Sequence, residues 1–234
     1  MFYGTPPIVT NGLVLNLDCG NRLSYPTSGT TWTDLSGNNN NGTLTNGPTF
    51  NPNNLGSIVF DGADDYVNIV DNNSINLIDG ITLSCWVYFN NINRREIFIG
   101  KGDGVGASST QYWIEKTTDN KFLLLIDVVT PTPTDSRLVL NDFIIQNNQW
   151  YYVCLTYNKQ IYRGYVNGVQ NSQTISMNFD MHTTSRNLGV GRLGDLPALS
   201  LLGGISVAQI YNRALSQAEI LQNYNAYKSR FGLT

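Results

Sequence analysis

The sequence predicts an all-β sandwich or barrel, and three observations point there. Short β-like runs recur at intervals of roughly 8 to 14 residues with turn residues between them, the spacing of such folds. Charged residues make up only 13% of the 234-residue chain, about half the usual share. Asparagine fills the gap with 30 copies, which gives a turn-rich chain whose surface is polar without being charged. Finally, the run Trp150 to Tyr157 is apolar on both of its alternating faces, as an inner strand covered on both sides must be.

The elements follow in order. Leu13 to Leu17 opens the series, then Ser57 to Phe60 and Tyr66 to Val70 flank an acidic turn at Asp61, Asp64 and Asp65. Longer strands are predicted at Ile81 to Phe89, Glu96 to Gly100, Gln111 to Thr117 and Phe122 to Val129. Ser136 to Ile145, Trp150 to Tyr157, Ile161 to Val166, Asn187 to Val190 and Ile205 to Tyr211 complete the set. Asn167-Gly168 is the strongest hairpin signal, because a type I′ turn needs positive φ at both positions. The polar stretches 27–56 and 101–110 read as loops. One helix is expected over about 216–231: Ser216 and Glu219 form a capping box, and Ile220, Leu221, Tyr224, Tyr227 and Phe231 recur at helical spacing. Gly232 is its stop, and the helix should dock on the sandwich. No composition break or internal repeat divides the chain, so residues 1–234 read as one domain.

Several function classes are excluded. A net charge of -3 lacks the basic footprint that nucleic acid requires. The one adjacent basic pair, Arg94-Arg95, reads as a solvated loop. The most apolar stretch, FLLLIDVV, is far shorter than the roughly 20 residues of a membrane span. The N-terminal residues MFYGTPPIVTNG hold no basic segment followed by an apolar core, so no export signal is expected. Cys85 and Cys154 sit in apolar runs and Cys19 at a strand end, so neither a disulfide framework nor a zinc site is predicted.

The pieces GLVLNLDCGNRLSYP, SIVFDGADDYVNI, ITLSCWVYF, NNQWYYVCLTYN, YVNGV, NLGVGR and GGISVAQIYNRALSQAEILQNY carry a family resemblance. With TTWTDLSGNNNNGTLTNGPTF they cover about residues 10–225. The chain resembles the concanavalin A-like, laminin-G-like jelly-roll domain. That resemblance implies a jelly-roll sandwich of two antiparallel sheets followed by the short C-terminal α-helix. It also implies roles that are mostly glycan or protein binding, with glycosidases a minority. The opening segments and the ending NRALSQAEILQNYNAYKSRFG are most similar to stand-alone versions in structural proteins of tailed bacteriophages. This implies a non-enzymatic virion surface protein: a capsid decoration, fibre or tail-associated domain made in the host cytoplasm. Its partners would be other virion proteins, copies of itself in a homo-oligomer, and host-surface glycans. The alternative is a calcium-assisted carbohydrate-binding module or lectin of a bacterial system.

Glycosidases on this fold carry paired carboxylates two to four residues apart. Of the three glutamates, Glu96 and Glu219 have no carboxylate at that spacing and Glu115 has only Asp119, beyond the end of its predicted strand; neither E-x-D nor D-x-D occurs, so no catalytic residue is expected. The lone histidine, His182, makes no triad, and the stretch GKGDGVG at 100–106 lacks the GK[ST] ending of a phosphate loop.

No cofactor is required, although calcium is a candidate. By position, the resemblance to the pentraxin branch places Asp103 and Asp195 in the two loops that hold calcium there. The chain has Ser206 and Ala208 where relatives often have Asp-Glu, which weakens the case. The turn reading of Asp61, Asp64 and Asp65 leads over a calcium reading. A glycan needs an aromatic platform beside amides or carboxylates. The aromatic candidates are Tyr112, Tyr162 and Tyr165, while Trp86, Trp113 and Trp150 are assigned to the core.

Overall fold

A computed structural model describes residues 6–91, 93–104, 109–129, 134–193 and 199–234. Its strands are β1 (Leu13–Asp18), β2 (Thr31–Trp32), β3 (Gly42–Thr45), β4 (Thr49–Asn51), β5 (Ser57–Asp61) and β6 (Tyr66–Ile69). The central run is β7 (Ile81–Phe89), β8 (Glu96–Gly102), β9 (Thr110–Lys116), β10 (Phe122–Val128), β11 (Thr134–Leu140) and β12 (Trp150–Tyr157). The chain then forms β13 (Ile161–Val166), β14 (Val169–Gln170), β15 (Ile175–Ser176), β16 (Leu188–Val190) and β17 (Leu202–Tyr211). A helix, α1 (Gln217–Tyr227), and a 3-10 turn, Lys228–Phe231, complete the chain.

Two antiparallel sheets result, as the resemblance implied. One has the order β14-β13-β12-β7-β17-β5-β4, with β1 on β17 and β15 on β13. The other runs β11-β10-β9-β8-β16-β6-β3-β2. Neighbours that are distant in sequence, such as β5 beside β17, show the chain passing repeatedly between the sheets. The main core lies between them and is built from one alternating face of each strand, for example Val67 and Ile69 of β6 and Val153 and Leu155 of β12.

The outer face of the nine-stranded sheet is covered as well. Trp86, Tyr152, Cys154, Tyr165 and Tyr211 meet Ile220, Tyr227 and Phe231 in a second cluster beneath α1. This explains why the Trp150–Tyr157 run is apolar on both faces. The helix starts as its sequence requires. Ser216 Oγ accepts from the Glu219 backbone N–H, and a Glu219 carboxylate oxygen accepts from the Ser216 N–H at 2.8 Å. Caps of this kind contribute about 0.5–2 kcal/mol. Arg213 grips the same carboxylate with both guanidinium Nη atoms and, with the cap, holds it down at about 2. Gly232 stops the 3-10 turn at φ +70°, and Asn167-Gly168 turn the β13–β14 hairpin at φ +51° and +78°.

Four expectations need correction. The stretch 27–56 is not all loop but supplies β2, β3 and β4. In it only Trp32 and Leu44 bury apolar side chains on the short strands β2 and β3, too little to register as alternation among Asn, Gly and Thr. The predicted strand Ser136 to Ile145 ends at Leu140. Leu221, placed on the apolar face of the helix, is 44% exposed. The pair Arg94-Arg95 is ion-paired, with Arg94 Nε 3.3 Å from Glu96 and Arg95 Nη2 2.7 Å from Glu115. The three cysteines are buried free thiols. Among the described residues no helix is long and apolar enough to cross a membrane.

Candidate functional site

The register of the nine-stranded sheet sets four residues side by side on its outer face: Val59 of β5, Gly204 of β17, Tyr88 of β7 and Trp150 of β12. α1 and its 3-10 turn cover the rest of this face and reach the row only at its Trp150 end, through Phe231. Tyr88 and Trp150 are therefore half-buried, with faces left to solvent. Their ring centroids are 5.4 Å apart at a 46° tilt, and Trp150 is backed by Phe231 at 4.7 Å. Gly204, lacking a side chain, leaves a floor beside them. The result is a cleft of about 280 Å³ walled by Asn51, Asn53, Asn54 and Asn90 together with the two rings.

Its polar groups are already ordered. Tyr88 Oη donates to Asn148 Oδ1 at 3.2 Å. The Asn54 amide bridges Trp150 Nε1 and the Arg230 carbonyl, each at 3.0 Å, in the orientation that satisfies both. Among the described residues no acidic or basic side chain lines this cleft. Half-exposed aromatic faces next to uncharged amides match the C–H faces and hydroxyls of a sugar ring.

The predicted aromatic platform lies elsewhere and is a correction. Tyr112 and Tyr162 are fully buried and Tyr165 nearly so. Tyr112 Oη donates to the Ile75 carbonyl at 3.0 Å inside the main core, Tyr162 packs edge-on to Tyr157, and Tyr165 lies under α1. Tyr162 and Tyr165 lie near the Asn167-Gly168 hairpin, and α1 clamps that hairpin, with Gln217 Nε2 donating to the Gly168 carbonyl at 2.8 Å. Burial raises all three phenols above their ordinary range. Trp150 in turn belongs to the cleft wall and not wholly to the core. Tyr88 and Trp150 share a readable signal, since each sits at a strand end beside Asn residues (Asn90-Asn91 and Asn147-Asn148), where helical cover runs out.

The carboxylates are committed to structure. Asp61 Oδ1 accepts from the Ala63 N–H at 2.8 Å and Asp65 Oδ2 from the Asp61 N–H at 3.1 Å. Gly62 turns the chain at φ +77°. One oxygen from each of Asp61, Asp64 and Asp65 lies within 4.8 Å of the others, yet the cluster does not fit calcium, which takes six to eight oxygens. Asp61 and Asp65 each spend an oxygen on the turn, and arginines occupy the nearby carbonyls: Arg94 Nη2 at Gly62 (2.8 Å) and Arg192 Nη1 at Asp64 (3.5 Å). Burial also raises the Asp65 carboxyl, against holding a cation-ready charge. Asp103 is buried and paired with Arg186 Nη2 at 2.8 Å; Asp195 lies outside the described residues.

The glutamates are occupied too. Glu96 lies between Arg94 and Lys116 and accepts from the Leu202 N–H. Glu115 holds Arg95 in a two-point pair and accepts from Trp113 Nε1 at 3.0 Å. Glu219 belongs to the cap.

A model of the family described as the concanavalin A-like lectin/glucanases superfamily matches residues 61–221. The chain belongs to that superfamily. No curated protein sequence matches it significantly. Among solved structures, this superfamily member is similar to the binding domain of Paraclostridial Mosquitocidal Protein 1, at 19% identity and a TM-score of 0.74, covering 96% of this chain and 56% of that one. It is similar to domain 4 of AbnA, a GH43 extracellular arabinanase from Geobacillus stearothermophilus solved in complex with arabinotriose, at 19% identity and a TM-score of 0.66. That match covers 91% of this chain and 98% of the domain. The ligand binding domain of botulinum neurotoxin serotype D, solved with N-acetylneuraminic acid, matches at 14% identity and a TM-score of 0.71, covering 92% and 51%. The chain thus spans about half of each toxin domain and nearly all of the arabinanase domain. At these identities the likeness is one of fold.

Proposed function

We propose that the protein is a non-enzymatic binding module whose Tyr88–Trp150 cleft takes an uncharged glycan. The observation that carries this reading is the cross-strand row of two half-exposed rings on a glycine floor, ringed by asparagine amides. The commitment of all three glutamates to ion pairs and a helix cap supports a role without hydrolysis. A glycan array and calorimetry test it. The wild type should retain neutral oligosaccharides, arabinotriose among the probes. Trp150→Ala and Tyr88→Ala should each weaken binding by about 2 kcal/mol, roughly 30-fold, as aromatic hot spots do. With no acid in the cleft wall, a chelator should leave the signal unchanged. Equal binding by both variants sinks the proposal, and chelator sensitivity would favour the calcium-assisted lectin.

As the setting we propose the surface of a tailed-phage particle, where the domain attaches to other virion proteins, to its own copies and to host glycans. The support is the resemblance of its opening and closing segments to phage structural proteins. Mass spectrometry of purified particles should find the chain at stoichiometric abundance; particles without it overturn this placement.

A further inference from the structure

The opposite face of the sandwich carries a second cleft, also about 280 Å³, on the outside of the eight-stranded sheet. Asn68 of β6 and Gly189 of β16 are register partners on its floor. Tyr66, Arg192, Arg186 and Asp103 rise around them.

Arg192 is placed with care. Gly191 before it has φ +86°, and a Cβ there would meet the Phe60 ring at 2.5 Å, so no other residue makes the turn. The turn lays the Arg192 guanidinium over Tyr66, with Cζ 3.8 Å from the ring centroid. Arg192 is only 8% exposed. Among the described residues its one hydrogen bond is the 3.5 Å contact to the Asp64 carbonyl, and its Nε has no partner. Arg94, Arg95, Arg186, Arg213 and Arg230 each hold a carboxylate. Among the described residues Arg192 holds none. A buried, charged fork with an unmet donor in a cleft is a carboxylate receptor by its geometry.

We propose that this cleft binds a sugar carboxylate, as in a uronic or nonulosonic acid, with Arg192 as the anion-binding residue. Three features select that class. Arg186 and Asp103 cancel at 2.8 Å, so the described residues of the cleft carry a net single positive charge. A monoanion matches it, while a doubly charged phosphate would leave the cleft with an uncompensated negative charge. The Tyr66 face under Arg192 is unavailable for stacking a nucleobase. Asn68 and Asn187, joined at 3.0 Å, bring side-chain amides into the cleft for ring hydroxyls. The volume, just under the range of about 300–1,000 Å³ for small-molecule pockets, suits one ring rather than a long chain.

The test titrates the full chain with glucuronic acid and N-acetylneuraminic acid, with glucose, inorganic phosphate and an acidic peptide as comparators. Both acidic sugars should bind the wild type and Trp150→Ala alike and perturb the side-chain amide signals of Asn68 and Asn187. Arg192→Lys, which keeps the charge but not the fork, should weaken them at least tenfold. Arabinotriose binding should stay unchanged in that variant, which separates this proposal from the neutral cleft. The amide signals are read on the wild type, so they decide the matter even if Arg192→Lys folds poorly. Undiminished binding by a folded Arg192→Lys, silent amide signals, or phosphate or peptide binding as tight as the sugars overturns the proposal.

Discussion

Replacing Trp86 by alanine should lower the free energy of unfolding by about 3–5 kcal/mol, the usual cost of emptying a fully packed aromatic site. Trp86 is fully buried and holds the layer between sheet and helix. Phe231 stacks on it at 4.2 Å and 19°, Tyr224 at 5.7 Å and 12°, and Tyr152 flanks it at 5.5 Å. Its Nε1 has no partner among the described residues, so the change removes packing alone. Denaturant melts followed by near-ultraviolet circular dichroism measure the effect. Leu221→Ala, on the exposed side of the same helix, is the comparison and should stay within about 0.5 kcal/mol. A loss below about 1 kcal/mol for Trp86→Ala would mean that the helix is not fastened through this ring.

The second large effect is expected from Lys116→Met. Lys116 and Glu96 are both fully buried and lie 3.6 Å apart, and Lys116 also donates to the Arg94 carbonyl. Removing the cation leaves Glu96 with Arg94 as its remaining counter-charge, and breaking such a pair costs about 3–5 kcal/mol. The double variant Glu96→Gln/Lys116→Met should recover most of that loss, since no buried charge is then left short of a partner.

The pH dependence has a definite sign. Burial raises the Glu96 carboxyl, and the cations beside it oppose that rise. Losing Lys116 therefore raises it further. A carboxyl with a folded pKa above its unfolded value costs nothing at low pH and destabilises as pH rises through that interval. The deficit of Lys116→Met should thus shrink on acidification toward the unfolded carboxylate pKa of about 4.3. A deficit that stays constant between pH 7 and pH 4.5 would contradict the assignment.

The fold was largely legible because its signals are repeated and redundant. Ile81–Phe89, Trp150–Tyr157 and Ile161–Val166 coincide with the predicted strands, since long apolar runs bounded by turn residues leave little freedom. Asn167-Gly168 and the Ser216–Glu219 box were readable for another reason: each encodes a local geometry that needs no distant partner. The short strands β2, β3 and β4 were not readable, because their pairing rests on β5 and β6 and leaves almost no local pattern.

The candidate site was far less legible. Whether a tyrosine on a strand becomes a platform or a core residue depends on what covers that face. For Tyr162 and Tyr165 the cover comes from a tertiary contact that strand alternation does not encode. Tyr88 and Trp150 escape cover only because the helix ends where it does. The acidic turn was read correctly as a turn, since Asp61 and Asp65 use their own local backbone. Arg192 carries no signal in sequence at all. Its character follows from Tyr66, more than a hundred positions away, and from Gly191 beside it.

The free cysteines give the two packing layers separate witnesses. Cys85 and Cys154 lie on adjacent strands, Val153 facing Cys85 and Cys154 facing Ser84 in register. Cys85 points into the space between the sheets and Cys154 into the space beneath α1. Burial pushes both thiols far above their ordinary range, so the native protein offers an alkylating reagent almost no thiolate. Each thiol becomes reactive only when its own layer parts. The order in which the two are modified under rising denaturant is then a chemical record of whether the helix lifts before the sandwich opens, written into the wild-type chain without any label added.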